Sequence, residues 1–372
     1  MIWYLLNILI ITFAWLWPVE IIDINKNKKK KNYIIHNIRK KRVCIIATLN
    51  WIVLSGLRGL SIGADTLAYK IYGFDKIVTM SWREVFYRIH LKYIEGASIK
   101  DPGYPLLEKV FQIFSTNYQI FLIFIAVIFF VPLGILIYKY SENPYLSYVI
   151  FSTLFYSFFA ITGHRQTIAT SMVVFGGIEL IKERKLIKFL ILVAIASTIH
   201  ASVVCFLPFY WLSKIKINKF TLMLYWIAIG SSFIFKGKIM IFLQRIVGYE
   251  QYGISEKARM GTFIFLLLLL CIFVTIFYRY FLEKKHKIEQ SYNLKEISVN
   301  ALFIAAFFSS LVTLNISFMR VVQYYSIFII FLLPQCKYVF IKKNRIFFEA
   351  VCCVVMIILL IKNNPEYVFF WQ

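Results

Sequence analysis

The chain has 372 residues, is 60% hydrophobic and 19% aromatic, and has a mean hydropathy of +0.72; soluble globular chains are roughly 45–50% apolar, so a water-soluble fold is excluded. A net charge of +24 would point to nucleic acid in a soluble protein. Here lysines and arginines are expected to hold loops on the cytoplasmic side against anionic lipid, and nucleic-acid binding is set aside.

The N-terminus, MIWYLLNILIITFAWLWPVEII, has no positively charged leader and no small-residue cleavage site, so it reads as a first span rather than a signal peptide. Further apolar blocks lie near 43–57, 118–138, 145–162, 166–181, 189–213, 220–236, 260–281, 298–316, 320–336 and 346–362. Their lengths fall near the ~20 residues that a helix needs to cross the hydrocarbon, and an open strand edge cannot sit in lipid. The expectation is an all-α, polytopic membrane helix bundle, a single integral domain over 1–372. Six cysteines (Cys44, Cys205, Cys271, Cys336, Cys352 and Cys353) sit in or beside these blocks without a CxxC pair or metal-ligand spacing. They read as small hydrophobes, and neither metal nor cofactor is expected.

Residues 58–105 form the longest outer loop. Within it Trp82, Val85, Phe86, Ile89 and Tyr93 recur at helical spacing, with Arg83, Glu84, His90 and Lys92 on other faces. This predicts an amphipathic helix at the interface, either a surface anchor or a guide for substrate. The block at 189–213 decides the topology. Read as a hairpin turning near Thr198, Ile199 and His200, it puts most lysines and arginines inside, including the loop at 25–42. The short outer loops then keep only Arg165 and Arg320. About twelve helical passes follow, with both termini outside.

Four small constellations then share the outer side. The first is Arg58-Gly-Leu-Ser-Ile-Gly63-Ala-Asp65-Thr66-Leu-Ala-Tyr69, whose glycines let Arg58 and Asp65 turn toward one place; an ordinary ion pair at a helix end is the alternative. The second is Gly163-His164-Arg165-Gln166, and the third is His200 at the hairpin tip. The fourth is Arg320, between two apolar spans. Ionisable residues at such depth are costly and are functional candidates by default; snorkelling arginines and a structural histidine are the alternatives. A guanidinium is a planar fork of donors that suits phosphate oxygens. Arginines gathered at an outer interface suit a lipid-linked phosphate or diphosphate.

The same residues carry a family likeness. Arg58 followed by Gly63, Asp65 and Tyr69; Asp101-Pro102-Gly103-Tyr104 before a span; Arg165, Gln166 and Ala169 opening a span; and Lys188-Phe189 leading a span that ends in His200 and Ser202 occur in this order over residues 50–210. In this the chain resembles the EpsG-type family of Wzy-like polymerases of exopolysaccharide, capsule and O-antigen clusters. The C-terminal half matches in character, with Arg320 as counterpart of a late outer-face arginine. The resemblance implies polymerisation of oligosaccharide repeat units on undecaprenyl diphosphate, at the outer face of the bacterial plasma membrane, beside a flippase and a chain-length regulator.

The reaction expected is metal-independent glycosyl transfer. The growing lipid-linked glycan is the donor, and a hydroxyl of the incoming repeat attacks its anomeric carbon. Arg58, Arg165 and Arg320 would stabilise the leaving diphosphate, with His164 and Gln166 beside them. His200 is the first choice of base and Asp65 the second. Tyr69 and Tyr104 could stack on sugar rings or anchor the interface. A transferase adding one sugar from a polyprenyl phosphate and a flippase for the lipid-linked glycan are the rival readings.

Overall fold

The computed structural model describes residues 1–19, 28–247, 261–284 and 294–372. Residues 20–22 of the first expected span, 25–27 of the expected inside loop and 260 of the block at 260–281 lie outside the described residues. The described residues are helical, and an isolated antiparallel bridge between Arg58 and Phe369 is the one strand-like pairing among them. The chain divides into two compact units, Met1–Ser171 with Leu333–Gln372, and Met172–Leu332.

The first unit opens with α1 (Ile2–Leu16) and α2 (Lys28–Gly56). The sequence reading keeps the basic run up to Arg42 in a loop; it forms the first half of α2 instead. Lys and Arg are good helix formers whose long stems reach out along the surface. Arg42 shows the result: its Nε donates to the Ala14 carbonyl at 2.8 Å and a terminal nitrogen donates to that of Trp17, tying α2 to the end of α1.

Next come α3 (Thr66–Tyr69), a π-helical turn at Lys70–Phe74, and α4 (Asp75–Thr79). Helix α5 (Trp82–Tyr93) is the one the spacing predicts. Its start is fixed by a reciprocal cap, with the Ser81 N–H donating to Glu84 Oε2 at 2.6 Å and the Glu84 N–H to Ser81 Oγ at 3.3 Å. Val85 is buried, while Trp82, Phe86 and Tyr93 are exposed. After α6 (Gly103–Phe111) comes the long apolar α7 (Tyr118–Tyr140), capped by Asn117, whose side chain accepts from the Gln119 N–H at 2.8 Å. Helices α2 and α7 approach so closely at Gly134 that any side chain there would collide with Thr48; small residues serve this purpose in membrane helix pairs. Helix α8 (Pro144–Leu154) bends by 72° into a π-helical turn at Tyr156–Thr162, and α9 (His164–Thr170) follows Gly163. The fully buried Trp51 anchors this unit, stacked 5.7 Å from Phe130 and edge-on to Phe151 at 5.3 Å.

The second unit contains α10 (Gly177–Lys182), α11 (Leu186–Ile199), a 3₁₀ turn at Ala201–Phe206, α12 (Phe209–Leu212), α13 (Lys219–Val247), α14 (Thr262–Lys284), α15 (Lys295–Val312) and α16 (Met319–Ser326), and α17 (Ile329–Gln335) begins in it. The apolar run 189–213 is not a single helix. Helix α11 ends at His200, whose backbone is extended, and the chain doubles back there. The Phe189 ring consequently lies 6.5 Å from Phe206 and 5.4 Å from Tyr210. Helix α18 (Arg345–Asn363) belongs to the first unit, where the Thr153 hydroxyl donates to the Met356 carbonyl at 3.1 Å.

Among the described residues five helices are long and apolar enough to cross a membrane, and up to seven if each of two bent pairs counts as one span. Helices α1, α11 and the Ala201–Leu212 segment are apolar but shorter. The architecture is that of a multi-pass helical membrane protein. The expected twelve passes exceed this number by the apolar blocks whose helices fall short of the length or hydropathy of a full span: α1, the apolar half of α2, the segment divided by a π-helical turn at Ser171–Gly176, α11 and Ala201–Leu212.

Candidate functional site

The first unit gathers its polar residues where α2 ends. Past Gly56 the backbone runs against the C-terminal tail: the Gly59 N–H donates to the Val368 carbonyl at 2.9 Å and the Phe370 N–H to that of Leu57 at 3.0 Å. The Tyr367 hydroxyl adds a bond to the Leu54 carbonyl at 2.9 Å. Arg58 is enclosed here, only 2% exposed. Its guanidinium donates to the Ser55 carbonyl and, at 2.6 Å, to His164 Nε2. A guanidinium has no acceptor, so Nε2 must be the unprotonated nitrogen. His164 is therefore neutral in this arrangement, with its proton on Nδ1, and Nδ1 is buried with no hydrogen-bond partner.

Gly63 lets the chain turn back over this pair. Its φ is +93°, and a Cβ there would sit 2.8 Å from the Ile161 carbonyl oxygen. The turn is closed by Thr66, whose hydroxyl donates to the Ile62 carbonyl at 2.7 Å, and it delivers Tyr69. The Tyr69 ring stacks on His164 at 4.5 Å.

Arg165, the next residue, is held on two sides. Its Nε donates to the Tyr69 hydroxyl at 3.2 Å and a terminal nitrogen to Asp101 Oδ2 at 3.0 Å. The guanidinium lies 5.2 Å from the Tyr69 ring and 5.8 Å from that of Tyr104. The Asp101 side chain is fully buried, while that of Arg165 keeps 25% of its surface. Asp101 occupies the left-handed region at φ +47°, a conformation that Asp tolerates better than most residues but still at a cost.

The structure thus brings Arg58, Tyr69, Tyr104, His164 and Arg165 together, with Asp101 as their carboxylate; Gln166 is buried immediately after Arg165. Asp65 is half-buried just before α3 and pairs with neither arginine. Sequence reading places Asp101 in a motif but gives it no role, and it misses Glu108 altogether. Glu108 lies one helical turn beyond Tyr104 on α6, fully buried, with neither carboxylate oxygen in a hydrogen bond of good geometry. Burial pushes its carboxyl up to about 8, against the opposing pull of Arg165, the Tyr104 hydroxyl and Arg88. The available signal was a glutamate at the i+4 position from a motif tyrosine on a short apolar helix.

His200 and Arg320 belong to the second unit. His200 is buried at the break after α11. Two residues on, the Ser202 hydroxyl lies 3.0 Å from that of Tyr324, and Tyr325 donates to the Cys205 carbonyl. Arg320 is half-buried in the first turn of α16, after a short 3₁₀ turn capped by Asn315, whose side chain accepts from the Ser317 N–H at 2.8 Å. Among the described residues no three His, Cys, Asp or Glu side chains converge as a metal site would require.

Apolar helices together with a buried, arginine-bearing polar cluster define a multi-pass membrane protein with a built ionic site in its first unit. The chain belongs to the EpsG family, a Wzy-like polymerase family whose model matches residues 41–369. That membership points to an exopolysaccharide polymerase-like, glycosyltransferase-type function. No curated protein and no solved structure matches the chain.

Proposed function

We propose that this protein polymerises oligosaccharide repeat units carried on undecaprenyl diphosphate, at the outer face of a bacterial plasma membrane. The flippase that supplies the repeats and a regulator of chain length would be its partners, and membrane lipid its solvent. In this reading the short apolar segments also lie in the bilayer. Helix α1, the apolar half of α2, the α9–α10 segment, α11 and Ala201–Leu212 join the seven spans to give about twelve passes.

The observation that carries the reading is the setting of Arg165. A cation fixed by Asp101 and Tyr69, yet partly exposed, can offer its remaining N–H groups to an anionic ligand without reorganising. In the proposed step the acceptor hydroxyl attacks the anomeric carbon of the lipid-linked donor. The carbon–oxygen bond to the diphosphate breaks, and its electron pair leaves with the lipid diphosphate. Arg165 bears on the growing charge of the leaving oxygen. Arg58 acts at one remove, by fixing the tautomer and orientation of His164 beside Arg165. Tyr69 and Tyr104 serve as walls for Arg165 and His164 rather than as platforms for sugar. Gln166 backs Arg165 within the first unit; the family resemblance carries His200 as the first candidate for the base and Asp65 as the second, with Arg320 as a further candidate cation.

The test is deletion of the gene in its host, with lipid-linked glycans resolved by size. Accumulation of single complete repeats with loss of the ladder supports polymerisation. An incomplete repeat would make the protein a single-sugar transferase, and complete repeats held on the inner leaflet would make it a flippase.

A further inference from the structure

The cluster in the first unit is flanked by a segment that lies more than 300 residues away in the chain. Residues 365–372 follow α18, which ends at Asn364 in the left-handed region at φ +39°. This redirects the chain onto the exit of α2. Two backbone hydrogen bonds then bracket Arg58: Gly59 N–H to Val368 at 2.9 Å and Phe370 N–H to Leu57 at 3.0 Å, with Phe369 directly opposite Arg58. In an antiparallel bridge, residues that face each other have their backbone torsions fixed together. The tail therefore dictates where the Arg58 side chain starts.

The side chains of the tail consolidate this. Tyr367 bonds Leu54 through its hydroxyl and packs edge-on against Tyr4 at 5.6 Å, and Tyr4, Tyr118 and Tyr367 lie close enough to act on the charge of Arg58. Phe369 meets Trp3 at 4.9 Å and stacks on Trp371 at 4.4 Å, which anchors the tail to the start of α1. The fit is close. A Cβ at Gly59 would lie 3.1 Å from Val368 Cγ2, so even alanine there presses on the tail.

We infer that the tail is a backbone strap that holds Arg58 in register for its hydrogen bond to His164, which makes Tyr367 and Phe369 positioning residues for the cluster. The inference rests on the polymerase reading only for its effect on product. Its geometry can be judged without it.

Two measurements test the strap. The first is modification of Arg58 by phenylglyoxal in purified, detergent-solubilised protein, read by mass spectrometry against Arg165 as internal reference. In the intact protein Arg58 should resist while Arg165 reacts. In a chain ending at Pro365, and in Gly59→Val, Arg58 should become reactive. Equal reactivity of Arg58 with and without the tail overturns the strap. The second is a double-mutant cycle on ladder synthesis. Truncation should lower the rate by roughly tenfold or more, the scale of one hydrogen bond to a charged group. It should add almost nothing in an Arg58→Met background, where no side-chain donor to His164 remains. A full additional loss in that background would mean that the tail acts independently of Arg58, and the inference fails. If the truncated chain does not accumulate, Tyr367→Phe and Gly59→Ala take its place: each leaves the tail present, and each should loosen Arg58 measurably. Absence of a ladder from the wild-type protein would sink the polymerase reading, while the labelling would still decide the strap.

Discussion

Replacing Arg165 with lysine separates charge from geometry. The arginine uses two nitrogens at once, Nε toward the Tyr69 hydroxyl at 3.2 Å and a terminal nitrogen toward Asp101 at 3.0 Å, with the plane between two tyrosine rings. A lysine ammonium is a point charge on a flexible stem. It can reach Asp101 or take a place over a ring, but it cannot bridge Tyr69 and Asp101 in one plane and still present further donors. The loss is about one hydrogen bond to a charged group, about 1.5–3 kcal/mol. If that bond acts in the transition state, the rate falls roughly 10- to 150-fold. Alanine would be a poorer probe. It breaks a partly buried ion pair from one side, at about 3–5 kcal/mol of folding stability, so lost activity and lost fold would be confounded. The assay uses membranes containing equal amounts of inserted protein, supplied with lipid-linked repeat, and follows ladder growth with time. A lysine variant within twofold of wild type would refute the reasoning and leave the pair with Asp101 as a structural brace.

Three further outcomes are expected. His200→Ala should abolish polymer while the protein still inserts; unchanged polymer length and amount would place the base elsewhere. Gly63→Ala should destabilise the fold by about 1–3 kcal/mol, because φ +93° strains an L-residue and the new Cβ meets the Ile161 carbonyl at 2.8 Å; an unchanged thermal midpoint in detergent would contradict the turn. Glu108 should impose a pH slope on stability. Its carboxyl titrates near 8 in the fold against an ordinary 4.5, so the folded state binds more protons between these values, and stability falls as pH rises from about 4.5 to about 8. The full effect is on the order of 5 kcal/mol, and Glu108→Gln should flatten it; a variant that keeps the slope would assign it to another group.

The parts of this molecule that were legible in its sequence are those set by local pattern. Apolar blocks become helices because no other backbone can satisfy itself in lipid. Ser81 and Glu84, three residues apart, state where α5 begins. The chain breaks at His200 within a run too long for one short helix and too rich in basic flanks for a single crossing. What stayed hidden is decided by partners distant in sequence. Hydropathy cannot say that Arg165 will choose Asp101, 64 residues earlier, over Asp65. Nor can it say that the hydroxyl of Tyr367 will seek the carbonyl of Leu54, 313 residues away. Bends fall in the same category. The α8 pair turns by 72° inside a stretch whose composition reads as one span, because composition records burial and not direction.

Burial divides the labour of two arginines that the sequence presents as equivalents. Arg58 is 2% exposed and spends its donors on Ser55 and His164, whereas the Arg165 side chain keeps 25% of its surface. A ligand arriving at the cluster can meet Arg165 directly, but it can feel Arg58 only through the imidazole that Arg58 orients. The two should therefore respond differently to substitution by lysine. Under the proposed function, the fork lost at Arg165 is lost from the ligand's own contacts. At Arg58 a lysine still donates one bond, and one bond to Nε2 suffices to keep the proton on Nδ1. The sequence presents both as phosphate-binding arginines; under the proposed function that role stays with the partly exposed Arg165, while Arg58 becomes the group that sets a histidine's tautomer.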